Sequence, residues 1–275
     1  MNRMLLRIAF LGLTGFTSLV GLAAQEPATL PETKAPAPTQ SAPPPTPAAA
    51  PLSPWQREFN ARLQTDFGWL ARYKEADLAL GPIAKGEDRV IFMGDSITDL
   101  WKIEGAGGSF PGKPYINRGI GGQTTPQMLV RFRQDVIALK PKVVVILAGI
   151  NDIAGNTGPM TLEQTEGNLA SMAELAAANH IRVVMCSLLP AFDFPWHPGM
   201  TPAPKVLAVN EWIKAYAAEH GHVYVDYYTA MKDERGGLPS NLSNDGVHPL
   251  PAGYAVMAPL VEAGIEKALK AANSD

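Results

Sequence analysis

From Trp55 onward the chain alternates short, continuously apolar runs with longer stretches in which apolar residues recur at helical spacing. The runs of strand length are Val90 to Met93, Tyr115 to Asn117, Val143 to Ala148, Arg182 to Leu188 and His222 to Asp226. An unbroken apolar run suits a strand covered on both faces, as in a parallel sheet. Helical spacing predicts helices over Pro126 to Leu139, Leu162 to Asn179, Lys205 to His220 and Ala252 to Ala272, and a further one over Trp55 to Tyr73. Thr161 with Gln164 makes a capping-box pattern, and Thr125 before Pro126 fits a capped start with proline at the first helical position. The alternation predicts a three-layer α/β/α sandwich around a five-stranded, doubly wound parallel sheet. In such sheets the ligand crevice lies outside the carboxyl ends of the strands, so each strand exit becomes a place to look for chemistry.

The pattern breaks upstream of Trp55. Arg3 and Arg7, the apolar stretch Ile8 to Val20 and the small residues Gly21-Leu22-Ala23-Ala24 have the layout of a signal peptide over residues 1–24. A retained membrane anchor is the rival reading, disfavoured because the stretch is short and interrupted by Thr14, Gly15, Thr17 and Ser18; export to the periplasm or medium is expected. Residues 25–54 are dominated by Pro, Ala, Thr and Ser, a composition that cannot bury enough apolar surface to order itself and reads as a linker. Residues 55–275 remain as one domain, with an apolar content of 46 % over the whole chain sufficient for a single substantial core. A net charge of −3 without long runs of one sign argues against a nucleic-acid partner and for a neutral or small polar ligand. The single cysteine, Cys186, sits in an apolar run, so no intramolecular disulfide forms and a buried inert thiol is expected.

Four strand exits carry chemistry. Gly94-Asp95-Ser96 follows Val90 to Met93, where a serine would open onto the crevice; a capping serine is the plainer alternative. Asn117 to Thr124 follows the second strand with three glycines, which let backbone N–H groups approach a substrate or simply make a tight turn. Its spacing fits neither a dinucleotide fingerprint nor a phosphate loop. Gly149-Ile150-Asn151-Asp152 follows the most apolar strand, and the Asn151 amide there serves as an oxyanion donor or as a turn residue. Asp245-Gly246-Val247-His248 precedes the last helix. An imidazole suits removal of a serine proton, and a carboxylate three residues earlier can hold its tautomer. His180, His220 and His222 lie at helix ends or a strand start, and His197 reads as a pocket liner.

Taken together, Gly94-Asp95-Ser96, Gly122, Gly149-x-Asn151-Asp152 and Asp245-x-x-His248 resemble the ordered blocks of the SGNH (GDSL) hydrolases, from about Arg89 to the C-terminus. The resemblance implies a flavodoxin-like fold and ester hydrolysis without metal or cofactor. By position it implies Ser96, Asp245 and His248 as catalytic residues and Ser96, Gly122 and Asn151 as the oxyanion hole. The strings Gly94 to Trp101 and Asn117 to Gln127 look most like the bacterial branch akin to platelet-activating-factor acetylhydrolase catalytic subunits, although Gln123 stands where many members carry Asp. Asp95, Trp101 and Trp196 are candidates for substrate contact, the two indoles as surfaces for a sugar or a small acyl group. No Gly-x-Ser-x-Gly, His-Glu-x-x-His or Cys-x-x-Cys motif competes. A short-chain, above all acetyl, ester of a carbohydrate or small molecule is the expected substrate. A lysophospholipase or thioesterase-like acylhydrolase, an O-acyltransferase and a glycan-binding module are the rivals.

Overall fold

The computed structural model describes residues 52–105 and 107–272. The signal segment and all but the last three residues of the linker lie outside the described residues. Those last three do not continue the linker. Ser53 caps, and Pro54 begins, a helix α1 (Pro54–Thr65), so ordered structure starts slightly earlier than composition alone implies.

Five parallel strands form the sheet: β1 (Val90–Gly94), β2 (Tyr115–Gly119), β3 (Val143–Leu147), β4 (Arg182–Cys186) and β5 (Val223–Val225). Every residue of β1 and β3 is buried, as their unbroken apolar sequences require of central strands. The order β2-β1-β3-β4-β5 is the flavodoxin-like one, and the expected five-stranded α/β/α architecture is what is found. The chain steps outward from β1 to β2, then returns to the other side of β1 for β3. The exits of β1 and β3 therefore flank the switch point, where adjacent connections diverge and leave a crevice.

The helices are α2 (Lys74–Leu80), α3 (Ser96–Asp99), α4 (Thr125–Asp135), α5 (Ile150–Ile153), α6 (Leu162–Ala178), α7 (Ala203–Glu219), α8 (Tyr227–Met231) and α9 (Pro251–Ala272). α4, α6 and α7 pack side by side, while α9 lies along β3, β4 and β5. Gly264 lets α9 come close to the sheet, since a Cβ there would lie 2.6 Å from Val225. Among the described residues no helix is long and apolar enough to cross a membrane.

Three expectations need correction. The helix expected over Trp55 to Tyr73 ends at Thr65 and gives way to turns before α2, because Asp66 closes α1 and its carboxylate accepts the N–H groups of Leu70 and Ala71 in the turn that follows. Gly68 in this turn touches α4 so closely that a Cβ would lie 2.8 Å from Val130. The cap of α4 is Thr124 and not Thr125, its N–H donating to the Gln127 side chain at 3.0 Å. The helix expected to run to Leu139 breaks after Asp135 into a 3-10 turn over Ile137–Leu139.

Candidate active site

Ser96 opens α3 directly after β1. Asp95 makes the turn: its carboxylate accepts the Ile97 N–H at 2.9 Å, capping a helix too short to satisfy its own first donors. Gly94 is obligatory there, since a Cβ would lie 2.1 Å from the Thr98 hydroxyl and 2.8 Å from the Leu147 carbonyl. Asp95 is 1 % exposed. Burial above all pushes its carboxyl up to about 7. It is a structural cap and does not line the cleft, which corrects its expected contact with substrate.

His248 arrives on the loop before α9 and places Nε2 2.9 Å from Ser96 Oγ. Its Nδ1 stands 2.7 Å from Asp245 Oδ2. The other Asp245 oxygen accepts the N–H groups of His248 and Val247 at 2.8 and 2.9 Å. Partial burial would raise the Asp245 carboxyl, but the bonds from the His248 ring and from these two amides outweigh it and hold the group at about 2. A carboxylate so fixed dictates that Nδ1 carries the proton, leaving Nε2 as the acceptor facing Ser96.

The second and third exits supply donors. Gly122 follows β2 with φ 80°, a left-handed conformation that suits glycine, and a Cβ there would lie 2.9 Å from the Trp55 ring. Gly121 beside it donates its N–H to Asp99 at 3.0 Å. Among the described residues, the backbone N–H groups of Ser96 and Gly122 have no acceptor. Asn151 follows β3, reached through Gly149 at φ 126°. One proton of its amide goes to the Gln123 carbonyl at 3.0 Å, which leaves the second unbonded. Its Oδ1 accepts from Asn156 Nδ2 at 2.9 Å, and Asn156 also bonds the Gly122 carbonyl at 3.1 Å. Asn156 thus ties two strand exits together. Sequence reasoning missed it, because an asparagine among glycines and threonines looks like a turn residue.

Gln123 proves to be internal. Its amide donates to the Gly68 carbonyl at 2.9 Å and accepts from Arg131 Nε at 2.6 Å, and Arg131 in turn bonds the Gly94 carbonyl. The departure from the more usual Asp is thus absorbed by packing behind the loop. Asp152 accepts from the N–H and hydroxyl of Thr125, pinning the start of α4 to α5.

Ser96, Gly122, Asn151 and His248 line one cleft of about 560 Å3. Trp196 and His197 line it too, with the Trp196 ring 6.1 Å from the His248 ring. Trp101 does not: it is 3 % exposed, packs among Phe92, Phe110 and Tyr254, and donates Nε1 to Ser109 at 2.8 Å, so its expected role as a substrate surface is withdrawn. The remaining wall comes from α1, through Trp55, Gln56, Phe59 and Asn60, a contribution only the folded chain reveals. His180, His220 and His222 gather at the opposite ends of β4 and β5. Among the described residues no group of three or more His, Cys, Asp or Glu is placed to hold a metal ion.

Residues 92–256 match the sequence profile of the GDSL-like lipase/acylhydrolase family. The chain is 28 % identical over 206 residues to the acetylxylan esterase of Geobacillus stearothermophilus, across 64 % of this chain and 92 % of that protein. It is 30 % identical over 138 residues to esterase TesA of Pseudomonas aeruginosa, across 49 % of this chain and 60 % of that one. The crystal structure of a GDSL-like lipase from Bacteroides thetaiotaomicron superposes with a TM-score of 0.70 at 45 % identity, covering 74 % of this chain and all of that one.

Proposed function

Because the chain belongs to the GDSL-like lipase/acylhydrolase family and is a carboxylic ester hydrolase, we propose that Ser96, His248 and Asp245 are its catalytic triad and that short acyl esters of carbohydrates are its substrates. The observation that carries this is the unbroken relay from Ser96 Oγ to His248 Nε2 at 2.9 Å and from Nδ1 to Asp245 at 2.7 Å. His248 takes the Ser96 proton as Oγ attacks the ester carbonyl. Negative charge develops on the carbonyl oxygen, where the free N–H groups of Ser96 and Gly122 and the second amide proton of Asn151 receive it. The tetrahedral adduct collapses as His248 returns the proton to the departing alcohol. Water, deprotonated by His248, then attacks the acyl-serine and releases the acid, restoring Ser96. Asp245 keeps the imidazole oriented and offsets its transient charge.

The acetyl preference is supported by the acetylxylan esterase relative. The signal-like residues 1–24 and the linker after them belong to the same proposal: the enzyme works outside the cytoplasm, where polysaccharide esters are met. Ser96→Ala tests the chemistry. Turnover of p-nitrophenyl acetate should fall by about 10⁴-fold or more with an unchanged melting temperature. Near-normal hydrolysis by that variant would remove Ser96 from the mechanism.

A further inference from the structure

The α1 wall lies upstream of residues 92–256, the segment that matches the family profile. We infer that α1 forms a subsite for the alcohol half of the substrate, and that this alcohol is a neutral saccharide gripped by Trp55 together with the amides of Gln56 and Asn60. The inference rests on the ester-hydrolase proposal and specifies what is esterified.

Three observations carry it. The first is the pattern on the helix. Trp55 and Phe59 stand one turn apart with their rings stacked at 5.1 Å, and Gln56 and Asn60 stand one turn apart beside them, so one stripe offers a ring face flanked by amides. Phe59 is buried beneath, while Trp55 is 52 % exposed. Gln56 spends its oxygen on the Ser53 N–H, leaving its amino group free, and the Asn60 amide has no partner among the described residues. A pyranose presents C–H groups to an aromatic face and hydroxyls at its edge, and this stripe matches both. An acyl chain would leave the amides desolvated and unpaired.

The second is charge. No Lys, Arg, Asp or Glu is among the residues that line the cleft. A lysophospholipid headgroup, a coenzyme A thioester or an acidic sugar would each bring charge into a site with no counter-charge, which disfavours them against a neutral glycan.

The third is room. The cleft holds about 560 Å3, the scale of sites that enclose a drug-sized ligand and far more than an acetyl group occupies. His248 must protonate the leaving oxygen, so the alcohol is bound where Trp196 faces the His248 ring. Trp55 covers Gly122 on the oxyanion side, and a saccharide spanning the cleft meets an indole on each side.

The test compares the full-length enzyme with Trp55→Ala, Trp55→Phe and Asn60→Ala on acetylated xylobiose, p-nitrophenyl acetate and p-nitrophenyl octanoate. For Trp55→Ala the ratio of kcat/KM on acetylated xylobiose to that on p-nitrophenyl acetate should fall about tenfold or more, mainly through KM. Trp55→Phe should recover most of that ratio, and Asn60→Ala should lower it by a smaller factor in the same direction. Equal losses on both acetates would make Trp55 a structural wall, and a loss confined to octanoate would make it an acyl wall; either overturns the subsite while leaving the hydrolase proposal intact. A wild type that cleaves none of the three esters overturns the hydrolase proposal itself.

Discussion

On the sheet side of the cleft Asn151 is 3 % exposed and its amide is bonded at both ends, whereas on the helix side Trp55 is 52 % exposed on a helix whose only buried side chain is Phe59. The sheet side is over-determined: Gly94, Gly122 and Gly149 sit where a side chain would clash or the backbone turns left-handed, and buried or half-buried polar side chains stitch one strand exit to the next. Charge stabilisation in a transition state needs donors fixed to a fraction of an ångström, and only such a lattice holds them. Recognition of the alcohol half tolerates more play. Rate and selectivity are therefore expected to separate by mutation, with sheet-side changes acting on kcat and α1 changes acting on substrate choice.

The rigid side includes a buried carboxylate, and pH exposes its effect. Asp95, held near 7 by burial, keeps its proton in the folded protein well above the pH at which an unfolded aspartate ionises. As pH rises from about 4 to about 7 the unfolded chain loses that proton first, so this group's contribution to stability falls across that window and levels off above it. Asp95→Asn keeps an oxygen for the Ile97 N–H but has nothing to ionise. Its stability relative to the wild type should rise between pH 4 and pH 8, by up to about 4 kcal/mol in urea unfolding. A difference that stays constant over that range would show that Asp95 is not the titrating group. Next in size, Asn151→Ala should lower kcat by about 10²–10³-fold with the fold intact, the loss seen when one oxyanion donor is removed. A variant keeping most of its turnover would mean that the rigid wall positions something other than the oxyanion donors.

Much of this architecture is legible in sequence because burial on both faces of a parallel strand leaves an unbroken apolar run, and all five such runs became strands. Part of the proposed site is legible for a related reason: Ser96 and Asn151 each follow one of those runs, so the fold rule that collects strand exits also collects them. What is not legible depends on distance in space. Trp101 and Trp196 look alike as aromatics near motifs, yet Trp101 turns inward onto Phe92 and Trp196 faces His248. The short helices α3, α5 and α8 span too few residues to show a period. The α1 wall had no signal, since Trp55 lies 41 positions before Ser96 in a stretch that reads only as a helix.

Asn156 gives the smallest and most discriminating test of the comparison, because it borders the cleft yet belongs to the lattice behind the donors. Its side chain bonds both Asn151 Oδ1 and the Gly122 carbonyl, so removing it loosens two donors at once without deleting either. Asn151 keeps its anchor on the Gln123 carbonyl, which bounds the damage. Asn156→Ala should lower kcat on p-nitrophenyl acetate about tenfold and leave KM within about twofold. A merely structural asparagine would shift the melting temperature and act independently of Asn151. A positioning role predicts the opposite: in the Asn151→Ala background there is no amide left to orient, so most of the further loss on adding Asn156→Ala should vanish. Losses that multiply in the double variant would place Asn156 outside the donor lattice, and the contrast between a rigid and a lightly held wall would then rest on the glycine turns alone.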